Sequence, residues 1–516
     1  MRLRPSVLSA VVGAVWATGL SACAVGPDFH PPKAPGGAGY VPEKVAPRTA
    51  SAGVPGGGSQ RFEIGSDIPG AWWKLFHSSE LNSLIAEALR ANPSLEAAQA
   101  ALRQAKENLY AQQGHLLPSL DANGSATREQ FSPAQFGQPG APSIFNLFQA
   151  TVNVSYSPDI FGGQRRQIEA SAALAEYQRF ELEATFLTLT ANVVTAAVQE
   201  ASLRGQIEAT REIIKAEGDQ LQVVRQRLEV GATARSDVLT QESELASTQA
   251  TLPPLQKQLE QQRHVLLALI GRFPNQSHGR QLRLTSLHLP TSLPVSVPTQ
   301  LVEQRPDVRA AQAQLHQASA LIGVAVANRL PQFTLTADYG TAALTTAALF
   351  SPATAIWSVA AGTTAPIFHG FTLLHQQRAA EAAYDMAQAQ YRSTVLGAFQ
   401  NVADVLRALQ LDAATLKAQQ RAVRAASDTL DLSRSQYALG AITYVTLLNA
   451  QRSYQQARLA LVQAQAARFA DTAALFQALG GGWWNRNDVL PNPLSPEPQI
   501  VRDASDTAAA RRKGGQ

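Results

Sequence analysis

A column of apolar residues spaced by seven constrains this chain more than any other feature. It runs through Val395, Val402, Leu409, Leu416, Val423, Leu430 and Tyr437 without exception. The same column occurs 209 residues earlier as Phe186, Val193, Glu200, Ile207, Ile214, Leu221 and Leu228, broken only at Glu200. A strict period of seven, against about 3.6 residues per turn of a straight helix, belongs to helices wound around neighbours in a left-handed supercoil. The chain therefore carries one very long helix twice.

The surroundings repeat as well. Helical patterning begins near Ser79-Glu80, with Leu81, Leu84, Ile85, Ala88 and Leu89 on one face. Asn92-Pro93-Ser94-Leu95-Glu96-Ala97-Ala98-Gln99 then aligns without a gap with Arg305-Pro306-Asp307-Val308-Arg309-Ala310-Ala311-Gln312. Both read as helix starts with proline in the first turn, running to about Leu117 and Leu330. Next, Phe148, Ala150, Val152, Val154 and Tyr156 alternate with polar residues, as do Phe333, Leu335, Ala337 and Tyr339. Weaker strands at Leu120 to Thr127 and Ala355 to Ala365 complete a pair in each copy. The loops between them, Arg128 to Leu147 and Gly340 to Thr354, are long and rich in Gly, Pro and Ala. Strands of roughly nine to eleven residues suit a tilted pass through a bilayer.

Pro158-Asp159-Ile160-Phe161-Gly162-Gly163 answers Pro366-Ile367-Phe368-His369-Gly370, and the long helices start near Gln164 and Phe371. At about 1.5 Å per residue, some 65 residues make a rod roughly 100 Å long. Gly231 and Gly440 end these helices, because glycine takes the left-handed conformation of a reversing turn. Returning helices follow, from Ser236 to Ile270 and from Tyr444 to Leu479, closed by Gly271 and Gly480. Pro253-Pro254 is expected to interrupt and kink the first of them.

The ends differ in kind. Residues 1–22 read as a secretory signal, with Arg2 and Arg4 ahead of an apolar core and Leu20-Ser21-Ala22 ahead of Cys23. Cys23 is the single cysteine, so no internal disulfide can form, and a lipid anchor would account for its thiol. An ordinary signal with a chance cysteine is the alternative. Residues 23–77 look like an extended tether, 272–298 like a connector, and 481–516 like a flexible tail. The two structural repeats between them span 78–271 and 299–480. In the first, the strand pair covers 119–157 and the long hairpin 164–271; in the second, 332–365 and 371–480.

With 516 residues, 45% apolar and a formal net charge of +4, the chain has no basic stripe. Its one compact basic cluster, Arg511-Arg512-Lys513, sits in the tail, which argues against nucleic-acid binding. No metal-ligand cluster, nucleophile motif or phosphate loop points to an enzyme or a cofactor. No apolar run after the N-terminus is long enough for a membrane-spanning helix.

Four strands cannot close a barrel, and an open edge cannot stand in hydrocarbon with its backbone groups unpaired. Other chains must complete the sheet. Two chains would give eight strands and little lumen, whereas three give twelve and a channel. The long helices agree: a narrow apolar seam beside broad faces of Ala, Gln, Ser and Arg suits the wall of a water-filled tube. The expected fold is mainly α with membrane β, a trimeric twelve-stranded barrel continued by a long periplasmic helical barrel.

Leu20-Ser21-Ala22-Cys23 resembles the bacterial lipobox. Together with Gly26-Pro27-Asp28-Phe29, the paired Pro93 and Pro306 motifs, Phe161-Gly162-Gly163 and the two glycine turns, it makes the chain resemble a TolC-like outer-membrane efflux protein of the lipoprotein (NodT-type) branch. These motifs span nearly all of the mature chain. The resemblance implies a homotrimer in the outer membrane, anchored through Cys23, with Ala24 rather than aspartate after it favouring that membrane. It implies an exit duct for small-molecule drugs or toxic compounds. Its partners would be a periplasmic adaptor and an inner-membrane transporter of the resistance-nodulation-division type. By position, the adaptor would meet the hairpin turns at Gly231 and Gly440. The periplasmic gate falls on Val445, Thr446, Asn449 and Arg452. Relatives of this kind usually carry acidic residues at Thr446 or Asn449, so a cation-attracting ring is not expected here. Asp237 and Tyr437 correspond to a latch between the hairpins, although Ser236 or Asp237 also stands where a helix cap belongs.

Two rivals remain open on sequence. A lipid-tethered periplasmic adaptor explains the heptads and Cys23 but not four strands set between helices. The same fold could also serve protein or peptide secretion, a choice that neighbouring transporter genes would decide.

Overall fold

A computed structural model describes residues 24–488, apart from 37–38, 44–45, 138, 278 and 280–281. The first repeat follows β1 (Arg61–Ile64) with α1 (Ser79–Ala91), α2 (Pro93–Gly114), β2 (Ser119–Phe131), β3 (Ser143–Tyr156), α3 (Gly163–Glu229) and α4 (Arg235–Leu269). After β4 (Ser292–Val295) and α5 (Pro298–Gln304) come α6 (Pro306–Ala327), β5 (Gln332–Ala343), β6 (Ala355–Thr364), α7 (Thr372–Ala438) and α8 (Tyr444–Ala478). The long helices repeat to the residue: α3 and α7 have 67 residues each, α4 and α8 have 35. At about 1.5 Å per residue the longer pair measures roughly 100 Å.

Local chemistry sets these boundaries. Asn92 Oδ1 accepts from the backbone N–H groups of Ser94 and Leu95 at 2.9 and 3.3 Å, which leaves Pro93 free to open α2. The carboxylate of Asp159 reaches the N–H groups of Gln164 and Arg165, at 3.0 and 2.9 Å, and so caps α3. At the far tip, Ala232 donates to Arg227 O (2.8 Å) and Gly231 to Leu228 O (3.0 Å). Ala441 and Gly440 repeat this with Gln436 O (2.9 Å) and Tyr437 O (3.1 Å). These bonds satisfy carbonyls that a helix end leaves open, and they require the left-handed φ of 74° at Gly231 and 73° at Gly440.

The apolar columns are buried as their period implies: Val193, Val402, Leu409 and Leu416 are all at 0% exposure. α3 packs mainly against α2 and α6 in its membrane-side half and against α4 and α8 towards the tip, while α7 packs mainly against α6 and α8. The largest core lies at mid-height, where Trp72 stacks on Phe476 at 5.2 Å and Phe76, Phe469, Leu84 and Leu293 fill in around them.

Four antiparallel strands form one sheet in the order β2-β3-β5-β6, so β2 and β6 are its edges. The strands are longer than alternation alone suggested. β2 continues past Thr127 to Phe131 and β3 begins at Ser143, so the first loop shrinks to residues 132–142. Polar residues such as Arg128, Glu129 and Gln130 hid this extension, because their pairing with Asn146, Phe145 and Ile144 depends on register, not composition. Likewise Gly340 to Ala343 belongs to β5, not to a loop.

Three further expectations need correction. The N-terminal segment is not a structureless tether within the described residues: β1 pairs in parallel with β4, Phe62 facing Leu293. The same pairing gives the connector a strand. Tyr40 donates to Ser296 O (2.8 Å), Phe29 stacks on His316 (4.3 Å), and Asp28 meets Arg166 (2.7 Å). Single anchoring side chains hold this segment, and periodicity does not register them. At the other end, residues 481–488 pack on the body, with Trp483 Nε1 donating to Gln304 O (2.6 Å) and Arg486 bridging to Glu183 (2.8 Å). Finally, α4 runs on through Pro253 and Pro254 without interruption. No helix among the described residues is long and apolar enough to cross a membrane.

Candidate functional site

The tip of the helical pairs is where the sequence placed the gate and the latch. Val445, Thr446, Asn449 and Arg452 all lie on the exposed face of α8, while Leu447, Leu448, Ala450 and Gln451 are buried on the other. Val445 is 59% exposed. Thr446 donates its N–H to Thr443 Oγ1 (3.4 Å), and the two hydroxyls lie 3.0 Å apart, so Thr446 also belongs to the cap of α8. Arg452 is committed elsewhere: its Nε lies 3.0 Å from both carboxylate oxygens of Glu244 on α4. That hydrogen bond to Glu244 raises the Arg452 guanidinium above its ordinary value.

Asp237 and Tyr437 each have partners of their own. The Asp237 carboxylate accepts from Thr233 Oγ1 at 2.7 Å, a local bond at the start of α4. The Tyr437 ring lies 5.0 Å from the Arg227 guanidinium carbon and 5.4 Å edge-on from Tyr444. Among the described residues no hydrogen bond joins Asp237 to Tyr437. Both glycine turns, at Gly231 and Gly440, are open, with nothing within 4 Å of an added Cβ. Cys23 lies outside the described residues.

Sequence reading missed a buried polar layer just above this tip. Glu217 of α3 is 2% exposed; its Oε1 accepts from Thr248 (3.1 Å) and from Gln455. Gln241 Nε2 donates to the Glu217 carbonyl (3.0 Å), and the Tyr444 hydroxyl donates to Gln241 Oε1. Burial pushes the Glu217 carboxyl up, against the hydrogen bonds from Thr248 and Gln455. Burial also raises the Tyr444 hydroxyl. Gln241, Glu244 and Thr248 recur at helical spacing, which is the one signal that could have found the layer. It ties α3, α4 and α8 together by direction-specific bonds where apolar packing alone would let helices slide.

Glu200, the break in the first column, has a structural answer. It is 1% exposed and binds Arg204 at 2.6 Å within α3 and Arg263 at 3.5 Å on α4. The chain thus swaps one apolar seam residue for an ion cluster that locks the first hairpin.

Among the described residues no group of three or more metal-ligating side chains occurs. What this arrangement offers is a long helical wall, a sheet of membrane height and a narrow, bonded tip. Known proteins share this whole plan. The sequence pattern of the outer membrane efflux protein family matches residues 84–272 and 297–481. The chain is 31% identical to the pyoverdine export outer membrane protein OpmQ of Pseudomonas putida, over 80% of this chain and 88% of that one. It is 28% identical to the toluene efflux pump outer membrane protein TtgC of the same species, over 94% and 98%. Among solved structures, the outer-membrane channel OprN superposes with a TM-score of 0.81 at 27% identity, covering 89% of this chain and all of that one. The outer membrane protein VceC of Vibrio cholerae gives 0.73 at 28% identity, over 81% and 100%. This chain belongs to the outer membrane efflux protein family and serves as an outer-membrane exit channel with a large periplasmic part.

Proposed function

We propose that three copies of this chain close into one duct through which an inner-membrane pump and a periplasmic adaptor discharge small toxic compounds. One observation carries the reading: the four-stranded sheet ends in two bare edges, β2 and β6, and every residue of both strands is exposed in the single chain. Unpaired backbone groups cannot face hydrocarbon, and twelve strands are the smallest multiple that leaves a lumen. Cys23 anchors the assembly by lipid. The turns at Gly231 and Gly440 meet the adaptor, and the pump is a resistance-nodulation-division transporter. Relatives named for toluene and antibiotic efflux support a cargo of organic toxicants.

Val445, Thr446 and Asn449, repeated three times, form the narrow ring, with the Arg452–Glu244 pair bracing it from behind. Asp237 and Tyr437 act as the latch when the Asp237 carboxylate turns from Thr233 to the tyrosine hydroxyl, a charge-assisted bond between the two hairpins. Conductance in planar bilayers tests the gate: Asp237→Ala and Tyr437→Phe should each widen the channel, and parental conductance in both removes the latch. Expression beside a cognate pump and adaptor in a strain lacking its own exit channels tests the cargo. Restored tolerance of toluene and antibiotics is expected; unchanged sensitivity with folded protein in the outer membrane contradicts it.

A further inference from the structure

The two junctions where a strand hands over to a long helix are alike in sequence but differ in cover. In the first repeat, Ile160 and Phe161 are half-buried. They line one cavity with Val324, Ala327, Pro331 and Phe333, from the corner where α6 turns into β5. Val25 of the N-terminal segment also donates its N–H to Phe161 O at 3.0 Å. In the second repeat, Ile367 and Phe368 stand 91% and 74% exposed. At the opposite edge of the sheet, where α2 turns into β2, Leu117 and Leu120 are 61% and 70% exposed. That corner is the counterpart of the α6–β5 corner: α2 and α6 have 22 residues each, and they lead into Leu117-Pro118 and Leu330-Pro331. Both bare patches lie at the helix-side end of the sheet. β6 ends at Thr364, just before Ile367, and β2 begins at Ser119, just after Leu117.

The internal repeat also sets how two copies line up. β2 pairs with β3 as Ser119↔Ser155, and β5 with β6 as Gln332↔Thr364, so the repeats differ by 213 on one strand and 209 on the other. Between these pairs, β3 meets β5, and the pair nearest the helices is Tyr156 opposite Leu335. The same two shifts, applied to β6 and the β2 of a next copy, set Ala365 opposite Ala122. The turn at Ile367 and Phe368 then lies over the Leu117–Leu120 corner. It repeats between copies what Ile160 and Phe161 do within one chain, with Leu120 in the place of Phe333. Neither 116–120 nor 364–368 contains a charged side chain, so burying the two patches together strands no charge.

We propose that Ile367 and Phe368 of each copy pack on Leu117 and Leu120 of the next, forming a collar of three apolar joints where the barrel meets the helices. The collar rests on the three-copy duct and names the side chains that hold it closed at this height. Its joints are head to tail: one surface of a copy meets a different surface of its neighbour, and only a closed ring satisfies every patch. Exposed apolar patches of this kind mark contact sites, and large side chains seated at their centre carry most of the binding energy. Membrane lipid is the competing occupant, and the experiment separates the two.

Disulfide trapping in the full-length protein tests the joint, and the parent chain, with Cys23 as its single cysteine, is the control. Ala122→Cys combined with Ala365→Cys, oxidised in isolated membranes, should give reducible dimers and trimers on denaturing gels. Their yield should exceed that of either single variant about tenfold, because a head-to-tail joint never sets like residues against each other. Ala122→Cys with Ile356→Cys, at the far end of β6, should give no such product. Phe368→Ser, at a position exposed in the single chain, should leave the fold intact. It should raise the share of free single chains in detergent about tenfold at a fixed temperature. Trimers that do not cross-link through Ala122 and Ala365 overturn the joint. Trimers that cross-link yet hold together unchanged in Phe368→Ser overturn the collar and leave the aromatic ring to lipid. Single chains in the parent would instead contradict the three-copy duct itself.

Discussion

α3 and α7 are the same helix written twice, equal in length and register, yet they live in different surroundings. α3 buries 29 of its 67 residues and α7 only 10. Between Thr372 and Gln390, α7 buries none. Leu187 and Leu396, at matching positions, are 8% and 72% exposed. The sequence difference is too small to explain this, since both helices carry the apolar column. Position explains it. α3 is flanked on both sides along its length, whereas α7 ends the row of helices in the single chain. A repeat that is symmetric in sequence becomes asymmetric because one copy faces its own chain and the other faces outward.

The helix starts differ in the same direction. Gly162 and Phe371 occupy equivalent places, both in left-handed backbone, with φ of 77° and 64°. Glycine takes that conformation freely, whereas a phenylalanine is strained there by roughly 1–2 kcal/mol. The first copy adds the Asp159 cap to a relaxed turn; the second opens α7 on an exposed aromatic, beside Phe368 at 5.7 Å.

Substitutions can break or sharpen this contrast. Glu200→Ala should cost most, about 3–5 kcal/mol, because it leaves Arg204 and Arg263 without their buried carboxylate. A melting curve compared with Leu409→Ala, its counterpart in α7, tells whether ion cluster and apolar seam are equivalent. Leu187→Ala should cost about 3 kcal/mol through the cavity it leaves, read as a lower denaturation midpoint. Phe371→Gly should raise stability by about 1 kcal/mol by removing backbone strain. Leu396→Ala, measured on the unassembled chain, should change stability by less than about 0.5 kcal/mol. Equal losses at Leu187 and Leu396 would show that α7 is already packed within one chain.

Much of this architecture was legible because it repeats. The sevenfold column, the shift of 209 and the terminal glycines fixed all four long helices to within a few residues. The course of the N-terminal segment was not legible, because Asp28, Phe29, Tyr40 and Gln60 fasten it to the body one side chain at a time, with no period to detect. The polar layer at Glu217 hid for another reason: glutamine and glutamate on a long helix read as solvated surface until a second helix is known to cover them. Of the candidate site, the exposed face of Val445, Thr446 and Asn449 follows from helical spacing, but the partner of Arg452 does not, since Glu244 lies 208 residues away.

Native mass spectrometry of the full-length protein, released from detergent or nanodiscs, bears most directly on the contrast. The open flank of α7 and the bare edges of β2 and β6 predict that a particle of three chains predominates. A predominant single chain or dimer that retains its folded sheet would contradict that closure.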